Sequence, residues 1–280
     1  MAKRTVIVTA DDFGRWPEVN DAVLAGYDDG MLSTAALRVT ATASSSAMVS
    51  ASMRPGLCVG LYLVLCDGQA TLPHRHVPDL VDTTGRFVKR PLEAAWLYRR
   101  GGGLRDELRA EIRAQLEKFL ASGLDLAFVA GHWNLHLLPS VFGILQELAG
   151  EYPIAALRKP CGQLVKHDRR RGISAFQRAV EAASLRSATA WGSIRARGFA
   201  GPDRVAPLCT ERPATESAVI ERLRSVGRGI TELVAHPGSF LPRYDGDGEA
   251  AIVTSPTVRK AVNELDIDIV SYREIVQGGI

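Results

Sequence analysis

Apolar runs of strand length alternate with helix-like segments along most of this chain. The run at 5–10 precedes a segment at 17–29 in which Pro17 takes a natural first helical position, and the same order recurs further on. Such alternation is typical of parallel strands joined by helices. About seven such units in one domain favour an α/β fold of the irregular (β/α) barrel type, TIM-barrel-like, over an open sheet. Periodicity alone does not determine whether the barrel closes.

Composition and charge narrow the class of protein. The 280 residues are 46% hydrophobic and 23% charged, which predicts one domain over 1–280 with a sizeable core. No stretch is long and apolar enough for a membrane span, and the first strand begins near residue 5, so we expect no signal peptide and a cytoplasmic location. A net charge of +3 is too small to indicate nucleic acid. The four cysteines lack C-x-x-C spacing and are interpreted as reduced thiols.

Two adjacent carboxylates, Asp11 and Asp12, stand where the first apolar strand stops. In barrels and doubly wound sheets, functional groups lie at the carboxyl ends of such strands. Neighbouring side chains on a strand point in opposite directions, so one carboxylate could bind a metal while the other takes a proton. The simpler interpretation is a helix cap or an Asx turn.

Three of the six histidines also follow apolar runs. His132 and His136 lie four residues apart just after the run Leu124–Ala130, and His236 follows the short strand predicted at 230–236. Two histidines that enter a loop after a strand suit a divalent metal. With the Asp pair, they favour a functional site at the strand ends.

Five motifs occur in one order along the chain: VIVTADDFGRWPEVNDAV, PGLCVGLYLVLCDGQATLP, VPDLVDTTGRF, GHWNLHLLP and ELVAHPG. On these motifs the chain resembles the YdjC-like carbohydrate deacetylase family, and most closely its branch associated with hopanoid biosynthesis. The resemblance covers nearly the whole chain and is weakest between about 160 and 215. It implies a distorted (β/α) barrel and a metal-dependent hydrolase that removes an acetyl group from an N-acetylated amino sugar or glycoconjugate. The variable loops at 66–103 and 160–213 would cover the active site.

The resemblance also implies roles for individual residues. Asp11 would be the general base, and His236 the general acid or oxyanion partner. One divalent ion, zinc or magnesium-like, would be bound by Asp12 and His132, with Tyr62 at the third ligand position. On the substrate side the resemblance and the motifs place Arg158, Trp133, Asn134 and His136. Arg158 could orient Asp11 or the substrate, or form a surface salt bridge. Trp133 is either a sugar platform or core packing.

Two departures from the family pattern affect this assignment. The family's G-[LIM]-H motif reads Gly60-Leu61-Tyr62 here, and Asn134 stands where the family commonly has histidine. A phenol with a free pKa of ~10 is a poor metal ligand, so the ion is expected to bind weakly or not at all. Tyr62 could instead be a wall aromatic or a proton donor.

The departures leave two other functions open. One is a metal-free descendant that uses Asp11, Tyr62 and His236 for non-hydrolytic acid/base chemistry, and the other is a catalytically silent binding protein. The expected partner is an N-acetylated sugar or glycolipid. Basic residues at 166–197 form a solvated face in the simpler interpretation. Alternatively they make peripheral membrane contact through a helix at 173–187, which would suit a lipid-linked substrate. The oligomeric state stays open.

Overall fold

The computed structural model describes residues 3–87, 90–159, 198–211, 213–238 and 246–278. Within these ranges, one sheet of seven strands has only parallel pairs. The strands are β1 (Arg4–Phe13), β2 (Thr34–Leu37), β3 (Cys58–Leu63), β4 (Val129–Gly131), β5 (Arg204–Pro207), β6 (Gly229–Ala235) and β7 (Ile267–Val270). Their order is β4-β3-β2-β1-β6-β5, and β7 pairs with β1.

Strand β1 is the centre of the sheet. Its residues from Arg4 to Ala10 pair with β6 along one edge. Along the other edge, its first residues pair with β7 and its last residues pair with β2. The β-branched run in β1 is buried on both faces, as expected for a central strand of a parallel sheet.

The sheet curls and continues beyond β4 through single parallel bridges. Val129 bridges Leu157, and Ala156 bridges Ala200, shortly before β5 begins. The result is a curled parallel half-barrel in a single domain, which confirms the predicted irregular (β/α) barrel. The curl brings the carboxyl ends of the strands toward one another at one edge, called here the carboxyl edge.

Helices connect the strands. They are α1 (Pro17–Asp28), α2 (Ser44–Ser52), α3 (Pro91–Leu97), α4 (Gly103–Leu120), α5 (Pro139–Leu148), α6 (Glu216–Ser225), α7 (Gly246–Val253), α8 (Pro256–Glu264) and α9 (Tyr272–Val276), with 3-10 turns at His74–His76 and His132–Leu137. Four of the helices begin with proline, which has no N–H to leave unsatisfied at that position. At α8 the Ser255 hydroxyl also caps the backbone N–H of Val258.

Buried polar side chains on α4 anchor the segment that follows β3. Gln115 pairs with both backbone groups of Val64, and Glu111 accepts hydrogen bonds from the backbone of Thr71 and Leu72. The predicted loop at 66–103 is therefore tied to the barrel at its start, and α3 lies within it.

One sequence-based interpretation changes in the structure, and another concerns residues that the structure does not describe. The strand expected at 124–130 is shorter, because only Val129–Gly131 pairs with β3. The basic segment at 166–197, with its predicted helix and membrane contact, lies outside the described residues, as does most of the variable loop at 160–213. Among the described residues, no helix combines the length and the hydropathy that crossing a membrane requires.

Candidate active site

Most of the predicted site residues lie at the carboxyl edge. Asp11 and Asp12 end β1, Tyr62 lies near the end of β3, His132 directly follows β4, and His236 directly follows β6. Because all pairs in the sheet are parallel, these ends share one edge, as the sequence predicts.

The Asp11 carboxylate is held by a buried arginine. Arg158 donates from Nη1 to Asp11 Oδ2 and from Nη2 to Asp11 Oδ1, both at 2.8 Å. The same guanidinium donates to Glu232 Oε1 from Nε at 3.0 Å and from Nη2 at 2.8 Å. Glu232 in turn accepts from Thr9 and from the Tyr272 hydroxyl, each at 2.7 Å. A fully bonded network of this kind fixes the Asp11 side chain in one orientation.

Burial and neighbouring charges shift the pKa values of Asp11 and Arg158 in opposite directions. Burial raises the pKa of Asp11, while Arg158 and a hydrogen bond from Tyr62 oppose that rise. For Arg158, burial would lower the pKa, but the carboxylates of Asp11 and Glu232 raise it well above its usual value. Arg158 therefore keeps its charge, and Asp11 is a stronger base than an exposed carboxylate.

Asp12 contacts two other arginines. Its Oδ1 lies 2.9 Å from Arg38 Nε, and its Oδ2 accepts from Arg15 Nη1 at 3.1 Å. The backbone of Asp12 is left-handed, with φ of 65°, a conformation that Asp tolerates better than most residues. Burial would raise the pKa of Asp12, but Arg38 foremost, with His132, Arg15 and His236, lowers it to about 2.

His132 lies between a phenol and a carboxylate. Its Nδ1 is 3.4 Å from the Tyr62 hydroxyl, and its Nε2 is 3.6 Å from Asp67 Oδ2. The nearby His132 imidazole lowers the pKa of Asp67. Both ring nitrogens of His132 thus face groups of this chain.

The predicted ligands do not fit a divalent cation in this arrangement. Both carboxylate oxygens of Asp12 face guanidinium groups, and Tyr62 is the only donor at the third ligand position. Among the described residues, no group of three His, Cys, Asp or Glu side chains is arranged to hold a metal. A zinc site needs three or four such donors free to coordinate. The carboxyl edge therefore carries a carboxylate–guanidinium cluster where the sequence predicts a metal.

The other predicted residues separate into buried and accessible groups. His136, expected to bind substrate, is fully buried, and its Nε2 lies 2.8 Å from the Arg158 carbonyl oxygen. Trp133 is half-buried and Asn134 is exposed, and both have a φ of 56°. This tight turn needs Gly131, because a Cβ there would lie 2.5 Å from His136 Nδ1. Trp133 is half-buried and packs against the hydrophobic core, whereas Asn134 is exposed and His136 contacts the backbone of Arg158.

Acid is expected to destabilise the fold through His136. Burial lowers its pKa from 6.5 to about 4. The unfolded chain binds this proton near pH 6.5 and the folded chain only near pH 4, so stability present above pH 6.5 is lost as the pH falls toward 4. The loss from this group is about 3 kcal/mol in the free energy of unfolding.

Urea unfolding of the wild type and of His136→Gln, at pH 7 and at pH 4.5, measures this contribution. The glutamine amide can donate to the Arg158 carbonyl without titrating, so the variant is expected to lose less stability on acidification. Equal losses in both proteins would contradict the buried, neutral state of His136.

His236 lies beside Asp11, because Ala10 of β1 pairs with Ala235 of β6. Its Nε2 lies 3.9 Å from Asp11 Oδ2, and its side chain is 13% exposed. Its backbone N–H donates to Glu249 at the start of α7, which fixes the turn after β6. An acid/base pair of Asp and His is therefore in place, with the imidazole on the solvent side.

Sequence reasoning missed two charged residues of the site. Arg38 follows β2 directly and is 4% exposed, and Glu232 lies inside β6 and is fully buried. A charged residue inside or next to an apolar strand was the available signal for both.

Known proteins resemble this chain over nearly its full length. The chain is 28% identical to the carbohydrate deacetylase of Geobacillus stearothermophilus, over 97% of this chain and 98% of that protein. It is 26% identical to the chitooligosaccharide deacetylase of Yersinia enterocolitica, over 97% and 99%. A crystal structure of a proposed cellobiose-phosphate cleavage protein from Enterococcus faecalis shares the fold, with a TM-score of 0.73 at 23% identity over 98% and 99% of the two chains. The family model described as YdjC-like protein matches residues 5–264. The chain belongs to the YdjC-like protein family.

Proposed function

We propose that this protein is a carbohydrate deacetylase that hydrolyses the acetamide of an N-acetylated amino sugar. The observation that carries the proposal is the oriented pair of Asp11 and His236, 3.9 Å apart, at the carboxyl edge of the sheet. Membership of the YdjC-like family and full-length relatives named carbohydrate deacetylases support it. The hopanoid-associated branch stays a prediction.

Asp11 is the general base in this proposal. Its carboxylate is held by Arg158, and burial raises its pKa, which makes it a stronger base toward a water molecule. Arg158, Glu232 and His136 are positioning residues, because they touch Asp11 or one another and not the substrate.

His236 is the general acid. The water oxygen bonds to the acetyl carbon, and the bond from that carbon to the sugar nitrogen breaks. His236 donates a proton to the nitrogen as that bond breaks, and the proton that Asp11 took from the water then passes to His236. The second water proton passes from the acetic acid to the amine. The products are acetate and the sugar ammonium. Because the donor set of the site does not fit a divalent cation, no step is assigned to one.

Trp133 and Asn134 are the proposed sugar contacts. Both lie in the turn after β4, next to His132, and the centroid of the Trp133 ring is 5.8 Å from that of the His132 ring. A half-buried indole offers a flat face to a pyranose ring. A lipid-linked substrate stays a prediction, because the segment at 166–197 that would meet a membrane lies outside the described residues.

Acetate and free amine should appear together in a ratio of about one to one when the protein hydrolyses N-acetylated sugars. The substrates are N-acetylglucosamine, its β-1,4-linked dimer and trimer, and an N-acetylglucosaminyl lipid, with an O-acetylated hexose as the ester control. Enzymatic acetate detection and an amine-reactive dye measure the two products independently.

Acetate from the ester alone would contradict amide hydrolysis. No acetate from any substrate would overturn the deacetylase proposal and leave the non-hydrolytic or binding alternatives. Preference for the lipid over the soluble dimer would support the lipid-linked substrate.

A further inference from the structure

The register of the sheet places Arg38 between Asp12 and Tyr62. In the pairing of β1 with β2, Phe13 is opposite Leu37, and in the pairing of β2 with β3, Leu37 is opposite Leu61. The residue after Leu37 is therefore level with Tyr62 and next to the end of β1. The backbone N–H of Arg38 donates to the Phe13 carbonyl at 2.8 Å, which holds it there.

The Arg38 guanidinium contacts both predicted ligand positions. Its Nε is 2.9 Å from Asp12 Oδ1, and its Cζ is 5.5 Å from the centroid of the Tyr62 ring. The side chains of Arg38 and Asp12 are 5% and 2% exposed, so this ion pair is shielded from water. A divalent cation on the same carboxylate would lie within a few ångströms of this positive charge, with little water to screen the repulsion.

Arg38 also has a donor left over. Its Nη2 is buried and has no hydrogen-bond acceptor among the residues that the structure describes. Buried polar groups nearly always have a partner, and an unmet one on a cation is especially costly. The N–H groups of Arg38 Nη2 are therefore available to an acceptor from outside the described residues, and the oxygen of a bound substrate is such an acceptor.

We propose that the guanidinium of Arg38 takes the place that the family resemblance gives to a divalent cation. Arg38 neutralises Asp12 and donates from Nη2 to the acetyl carbonyl oxygen, which becomes negative as water adds to the carbon. This inference rests on the proposed deacetylase activity for its catalytic part. Its other part, that a guanidinium excludes metal from Asp12 and His132, holds whatever the substrate is.

The presence of Arg38 in place of a cation also accounts for Tyr62. A histidine at position 62 would complete a ligand set with Asp12 and His132, but the charge of Arg38 would repel the ion that this set needs. A phenol keeps a hydrogen bond to Asp11 and presents its ring to the guanidinium. Arg38 and Tyr62 thus form one pair, and both need to change before the site can bind a metal.

Zinc titration by calorimetry tests the exclusion part without any substrate. The proteins are the wild type, Arg38→Ala, Tyr62→His and the double variant Arg38→Ala/Tyr62→His, each dialysed against chelator first. The double variant is expected to bind one zinc ion per chain, and the wild type and Tyr62→His none at this site. Stoichiometric zinc in the wild type that is lost on Asp12→Asn would overturn the proposal.

Acetate release tests the catalytic part. Wild-type activity is expected to survive chelation, and Arg38→Ala to lose about 100- to 1,000-fold in kcat, the usual cost of one oxyanion donor. Millimolar guanidinium is expected to restore part of the rate to Arg38→Ala, while equal sodium chloride restores none. Thermal unfolding of Arg38→Ala checks that its fold survives. Arg38→Lys, which keeps a cation beside Asp12, is the comparison.

The outcomes separate the two proposals. If no protein releases acetate, the deacetylase function fails, and the zinc titration still decides whether Arg38 excludes the metal. If the wild type loses activity on chelation and regains it with zinc, the Arg38 proposal fails and the deacetylase function stands. An Arg38→Ala variant with unchanged kcat would also overturn the catalytic role of Arg38.

Discussion

Replacing Asp11 by asparagine is expected to lower kcat for acetate release by about 100- to 10,000-fold, the usual contribution of a general base. Asparagine has the same shape and can still accept one hydrogen bond from Arg158, but it cannot take a proton from water. Initial rates on the N-acetylglucosamine dimer, together with thermal unfolding of the variant, separate lost chemistry from lost structure.

Asp28→Asn is the matched control for this substitution. Asp28 lies on the outer surface of α1 and pairs with Arg54 at 2.6 Å, away from the carboxyl edge. The control is expected to keep the wild-type rate. A rate for Asp11→Asn within about threefold of the control would remove Asp11 from the role of base, because that difference is far below the contribution of general-base catalysis.

The second large effect is on stability. Glu232→Ala leaves Arg158 buried with only Asp11 as a charged partner, and removes the acceptor for the Thr9 and Tyr272 hydroxyls. Breaking a buried ion pair on one side typically costs about 3–5 kcal/mol in the free energy of unfolding. Glu232→Gln, which keeps an acceptor oxygen without the charge, is expected to lose less. Urea unfolding of both variants at pH 7 measures the difference.

Glu147→Ala provides the comparison at the surface. Glu147 also pairs with arginine, through Arg105, but its side chain is 48% exposed. Exposed pairs contribute about 0–1 kcal/mol, so this variant is expected to unfold close to the wild type. Equal destabilisation by Glu232→Ala and Glu147→Ala would show that the network around Arg158 is solvated and does not hold Asp11.

The sequence predicts much of the site because parallel strands align their ends. Asp11, His132 and His236 each follow an apolar run, and a parallel sheet brings those positions to one edge whatever the order of the strands. Contact with Asp11 is one of the three interpretations that the sequence leaves open for Arg158. Its 2.8 Å bidentate geometry shows that Arg158 orients Asp11.

The places of Arg38 and Glu232 and the length of β4 depend on strand order and on long-range contacts. Arg38 looks like an ordinary charge at a strand end until the order β3-β2-β1 places it between Tyr62 and Asp12. Glu232 stands out as a carboxylate in an apolar strand, but its partner Arg158 is 74 residues away. The shortened β4 has a similar cause, because pairing with β3 and not hydrophobicity decides where a strand begins.

The measurement that tests the account most directly is the release of acetate and amine from the N-acetylglucosamine dimer by chelator-treated wild-type protein, followed in one progress curve. We expect equal amounts of both products, released at a rate that added zinc does not raise. No release before zinc and full release after it would contradict the account, because the site would then need a metal that the pair of Arg38 and Asp12 is proposed to exclude.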